Sequence, residues 1–199
     1  STRPPLSCLM RSAALPIAHR AVALQPASIG AQECLTYAQL SDGTDAKELE
    51  SSTLPLAAAQ AVALDALLSH QPAIAQAVMQ GVTGPNNAAW IDPWLQAAAD
   101  RHQTSAALQA ITRAASDRVV DPVTEVVCGA ALRQTDFVFN RLSRLHKQNE
   151  PLPLRVLWLP RTNFLRQQPR FEETIGAAGL PPFWQDHGIP DICAAEPEV

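Results

Sequence analysis

The residue types that could do chemistry are densest near the C-terminus, where Asp186, His187, Asp191 and Cys193 fall within eight residues. Carboxylates, an imidazole and a thiolate are all metal ligands, but zinc sites pair theirs at short regular spacings that this set lacks. A capped, packed terminal loop with Cys193 buried accounts for it more simply. Cys193 with His187 also has the residue types of a thiolate pair, yet no third orienting group or oxyanion loop accompanies them. The five histidines, His19, His70, His102, His146 and His187, include no two that lie three or four residues apart, which excludes a helical metal pair. Gly81-Val82-Thr83-Gly84 lacks the lysine and the preceding strand of a phosphate-binding loop and reads as a helix stop. Cys8, Cys34, Cys128 and Cys193 stand far apart, which excludes a dense disulfide framework and leaves one or two disulfides or separate buried thiols. No catalytic residue, cofactor or metal is expected.

Two pairs are better suited to recognition. Trp90 and Trp94 are four residues apart on one helical face, where core packing is the plain reading and a ligand-facing aromatic pair in a groove the sharper one. Arg141 and Arg144 belong to a basic segment in which Arg133, Lys147, Arg155, Arg161, Arg166 and Arg170 also fall, against only Asp136 and Glu150. Arginines on a solvated face or bonded to backbone carbonyls explain such a segment, and a docking surface for an acidic partner is the alternative. The formal charge of −4 calls for neither nucleic acid nor membrane as a partner. No apolar run reaches the ~18 residues that a membrane span needs.

Positioning any of these residues falls to helices. Of the 199 residues, 47% are hydrophobic but only 5% aromatic, and Ala and Leu dominate over the Val, Ile and Tyr that fill strands. Seventeen prolines are too many for long uninterrupted helices and eight glycines too few for a turn-rich sandwich, so short helices with proline-marked corners are expected. Leu15-Pro16-Ile17-Ala18 with Ala21-Val22-Ala23-Leu24 recurs as Leu54-Pro55-Leu56-Ala57 with Ala61-Val62-Ala63-Leu64, about forty residues on, which marks a repeated helix pair. A partner helix, Ala27 to Leu40, lies between the copies and is closed by Ser41-Asp42-Gly43. In the second copy Leu54, Ala57, Ala58, Ala61, Leu64 and Leu68 form a single apolar stripe. Ala73 to Gln80 continues as a short helix. Asp92-Pro93 and Asp121-Pro122 each offer a capping Asp and a first-turn Pro, and so predict helix starts. A single long helix is expected from Thr124 to Lys147, with Cys128, Ala131, Leu132, Thr135, Val138, Phe139, Leu142 and Leu145 on its buried stripe. Arg155 to Leu159 is the one strand candidate, and the whole reads as all-α.

The short period, small-residue stripes and closing prolines resemble the tetratricopeptide repeat, although the early Trp and Tyr of that repeat are missing and the offset exceeds its usual period. The C-terminal stretch carries a closer resemblance. Leu157-Trp158-Leu159-Pro160, Leu165-Arg166, Gln168-Pro169-Arg170-Phe171, Gly179-Leu180-Pro181, Phe183-Trp184 and Pro190-Asp191-Ile192-Cys193 resemble, in order and spacing, the ending of tetratricopeptide-containing bacterial chains. Gln168, Phe183 and Ile192 depart from that pattern, which has Asp, Tyr and Phe there. In such chains the helical region commonly belongs to CadC-type winged-helix transcription regulators or class III adenylate cyclases.

The resemblance implies a tetratricopeptide-like α-solenoid over residues 1–150, with residues 151–199 as a C-terminal helical cap on the last repeat. Trp158, Phe164, Phe171, Phe183 and Trp184 would cover that repeat's apolar face. It also implies a non-enzymatic scaffold or sensory region, cytoplasmic or periplasmic, that binds a protein or peptide partner or associates with itself. Trp90, Trp94, Arg141 and Arg144 are the positions to test for partner contact. A small-molecule-sensing domain controlling an attached output domain is the alternative. The chain opens at Ser1 without Met, as an excised or processed piece of a longer chain would.

Overall fold

A computed structural model of the chain describes residues 14–49, 54–83 and 88–187, and every regular element among them is helical. The α-helices are α1 (Ala14–Leu24), α2 (Ile29–Asp42), α3 (Leu56–Leu68), α4 (Pro72–Thr83), α5 (Ala88–Ala99), α6 (Thr104–Ser116), α7 (Pro122–Ala131), α8 (Thr135–Lys147), α9 (Asn163–Arg166), α10 (Pro169–Ala177) and α11 (Leu180–His187). Consecutive helices pack in pairs, α1 with α2, α3 with α4, α5 with α6 and α7 with α8. The start at Asp121-Pro122 follows the expected proline logic, with Asp121 Oδ1 accepting the free Thr124 N–H at 2.7 Å, whereas Pro72, read in the sequence as a closing proline, is the first residue of α4.

The two copies of the internal repeat meet different fates. In α1 Ala18 is buried while Ile17 and Leu24 face solvent. In α3 every residue from Ala58 to Leu68 is buried, Gln60 and Asp65 included, so the expected single stripe is instead an all-round core helix. Alanine makes this possible, because neighbouring helices can approach α3 from several sides. One neighbour is α7, two pairs further along the chain. A strictly one-dimensional stack would keep these helices apart.

Two boundaries differ from the sequence expectation. The long helix from Thr124 to Lys147 is two helices, α7 and α8, broken at Leu132 to Gln134. Arg133 adopts the left-handed conformation at φ 55°, and the Arg133 and Gln134 N–H groups return to the carbonyls of Ala130 and Gly129 at 3.0 and 2.9 Å. This is a Schellman stop made without glycine, so no residue type announced it. His70, Arg118 and Asn149 end α3, α6 and α8 in the same way, at φ 61°, 57° and 55°. The second difference is α5, which begins at Ala88 and holds Pro93 in its interior instead of starting at Asp92-Pro93. Burial of Trp90, Ile91 and Trp94 on that helix outweighs the ~3 kcal/mol that an internal proline costs.

Residues 151–187 share one hydrophobic core with the preceding helices, from Tyr37 through Ile175. The strand candidate forms a 3₁₀ turn, Leu154–Trp158, because Arg166 and Thr162 take the carbonyls a neighbouring strand would have paired. Buried Arg166 donates through Nη1 to Leu157 O at 2.5 Å and Leu159 O at 3.2 Å. The Thr162 hydroxyl lies 2.8 Å from the carbonyl oxygens of Val156 and Leu159. Trp158 then meets Phe171 and Trp184 edge to face, with centroids at 5.6 and 5.9 Å. Phe164 packs against the core, but Phe183, expected in the cap, is 52% exposed. The cap touches α8 through α10, and it also reaches the first two pairs through Arg155–Glu33 and Arg161–Asp65.

Candidate functional site

Gly129 sets the distance between α7 and α8, two of the helices that shape a cleft on the surface. A Cβ there would lie 2.7 Å from Phe137 Cδ1 and 3.0 Å from Val138 Cγ2, so only glycine lets α7 and α8 close to this separation. On α7 Glu125 is buried, and Arg141 of α8 meets it with Nε 2.5 Å from Oε2. The N–H is not aimed along that line, so the contact is an ion pair more than an aligned hydrogen bond. Burial pushes the Glu125 carboxyl above the usual range. Arg141 and Arg144 oppose the rise, while Asp121 and Glu150 add to it.

Where α6 stops and α7 starts, the chain closes a cleft of about 470 Å³ against Leu56 of α3 and Trp90 of α5. Its apolar wall holds Leu56, Trp90 and Val119, and Leu56 and Val119 are exposed. Its charged groups are Arg118, Asp121, Arg141 and Glu150. Asp121 and Arg141 are already engaged, the first as the α7 cap and the second with Glu125. Arg118 is exposed and has no acidic partner among the described residues. The cleft floor is fixed by a polar chain: Thr124 Oγ1 donates to Asp121 Oδ1 at 2.8 Å and accepts from Gln60 Nε2 at 2.5 Å.

Among the described residues no group of three or more His, Cys, Asp and Glu is placed to hold a metal. Burial, reinforced by Glu125 and Asp121, raises the Cys128 thiol well above its ordinary value, so Cys128 is held as an unreactive thiol. Cys34 and Cys128 are both free thiols. The terminal set is only partly visible: Asp186 is exposed, while the His187 side chain, Asp191 and Cys193 lie outside the described residues.

The four recognition positions separate. Trp90 and Trp94 pack on each other with centroids 6.1 Å apart, and both are core residues, 4% and 0% exposed. Trp94 is closed off from any groove, whereas Trp90 keeps an edge on the cleft. Arg141 reaches the same cleft, and Arg144 stands exposed outside it. The rest of the basic segment is largely spent on the fold: Arg155, Arg161 and Arg170 pair with Glu33, Asp65 and Asp136, and Arg166 clamps carbonyls. Sequence reasoning missed Arg118, Leu56 and Val119, because a cleft built from five helix ends leaves no local pattern. No family model, curated protein or solved structure matches the chain. No helix among the described residues is long and apolar enough to cross a membrane.

Proposed function

We propose that this chain is a non-enzymatic helical interaction module that binds a protein or peptide segment in the Leu56–Trp90–Arg118 cleft. The observation that carries the reading is the meeting of exposed Leu56 and Val119 with the Arg118 guanidinium, which has no acidic partner among the described residues, around one cleft of about 470 Å³. Charge complementarity selects the occupant, a segment presenting an apolar side chain next to a carboxylate. The pairwise packing of α1 to α8 supports a tetratricopeptide-like arrangement, folded back on itself where α3 meets α7. The C-terminal resemblance supports a place beside the output domain of a bacterial regulator, and that placement is analogy.

A peptide-display selection against the purified chain tests the reading. Peptides enriched over naive display should pair an apolar residue with an acidic one. Their binding should drop at least tenfold in Arg118→Glu and in Leu56→Asp but persist in Arg101→Glu, which lies away from the cleft. A selection that enriches nothing, or peptides indifferent to both cleft variants, would refute it.

A further inference from the structure

A second pocket, of about 460 Å³, opens where the stop of α2, the end of α3 and the cap converge. Its walls carry Arg133, Arg161, Asn163 and Asp65 over an apolar floor of Leu40 and Leu68. Two guanidinium groups line the pocket, and Asp65 with nearby Asp45 offsets the charge of Arg161, so what the pocket offers an anion is unused N–H donors, not a net positive charge. Asp65 meets Arg161 at Nε, 3.0 Å away, and even a bidentate carboxylate takes only two of the five N–H donors of an arginine. Arg133 has no acidic partner among the described residues; its guanidinium lies over the Phe164 ring, 4.9 Å from the centroid. Stacking holds the fork in place without using its N–H donors.

We propose that this pocket binds a small oxyanion, a carboxylate or phosphate ester with a short apolar body, between Arg133 and Arg161. The oxyanion takes the free donors of both guanidinium groups and an N–H of the Asn163 amide, and the body lies on Leu40 and Leu68. Because the pocket walls come from the ends of α2, α3 and α7 and from the cap, an occupant ties the cap to these helices and raises the stability of the whole.

The test titrates the full chain with inorganic phosphate, phenyl phosphate and hexanoate, with hexanol as the uncharged control, following melting temperature and calorimetric binding at fixed ionic strength. At least one anion should give a saturable rise in melting temperature that hexanol does not, and the three arms separate phosphate from carboxylate recognition. Arg133→Gly should melt at or above the wild-type temperature without ligand while binding the same anion at least tenfold more weakly. Equal binding by Arg133→Gly, or the absence of a saturable shift with all three anions, would overturn the proposal. Neither outcome bears on peptide binding at the Trp90 cleft, whose residues are separate from these.

Discussion

Arg155 Nη1 lies 3.0 Å from Glu33 Oε2 although 122 positions separate the two residues in the chain. The same guanidinium sits over the Tyr37 ring, 5.2 Å from its centroid, so one cap residue fastens onto the first helix pair in two ways. Burial pushes the Tyr37 hydroxyl up to about 12, Arg155 opposing and Glu33 and Asp121 adding, so the ring is neutral and the charge beside it is Arg155. The pair is partly exposed and is worth about 0.5 kcal/mol as a coupling, with about as much again from the ring contact. A double-mutant cycle of Arg155→Ala and Glu33→Ala by urea denaturation should show that coupling. Strictly additive single mutants would mean that the cap is not tied to α2 through this contact.

Arg166→Met should destabilise the chain by about 3 kcal/mol, because the buried carbonyls of Leu157 and Leu159 lose a charged donor that methionine cannot replace. The Trp158 environment should loosen with it, seen as weaker near-ultraviolet dichroism. A variant as stable as wild type would show that the clamp does not hold the 3₁₀ turn.

Gly129→Ala reverses the usual helix preference. Alanine is the better helix former, yet its Cβ would meet the Phe137 ring at 2.7 Å, so urea denaturation should show a net loss of about 1–3 kcal/mol. A gain in stability would mean that α7 and α8 are not packed this closely.

Glu125 predicts an unusual pH dependence. Its folded-state pKa is raised by burial, so the folded chain holds this proton more tightly than the unfolded chain. The contribution to stability is therefore greatest at low pH and declines as pH rises from the ordinary glutamate range through the raised folded value. Asp65 behaves alike, whereas the capping carboxylates Asp45 and Asp100, lowered by backbone hydrogen bonds, act in the opposite sense. Glu125→Gln should flatten the decline as pH rises above the ordinary glutamate range, measured as urea midpoints at successive pH values. An unchanged profile would count against a folded-state pKa raised by burial at Glu125.

How far the sequence could be read follows from where each signal is local. Asp121 and Pro122 mark a helix start through local backbone chemistry, so the start of α7 was legible. The stop at Arg133 was not, because an arginine in the left-handed region looks like any helical arginine until Gly129 and Ala130 are seen to accept its hydrogen bonds. Leu157 to Arg166 form a turn clamped by a buried guanidinium, an arrangement that residue types alone do not announce. The cleft was half legible: Trp90 and Arg141 could be singled out from residue type, while Leu56 and Arg118 arrive only through the packing of helix ends.

Chemical-shift mapping of the isotope-labelled chain with a display-selected peptide tests the central claim most directly. The account predicts shifts concentrated on Leu56, Thr83, the Trp90 indole and the segment from Arg118 to Thr124, with saturation at the affinity measured by calorimetry. Shifts centred elsewhere, such as the Leu108, Thr112 and Phe137 groove on the α6 side, would contradict it.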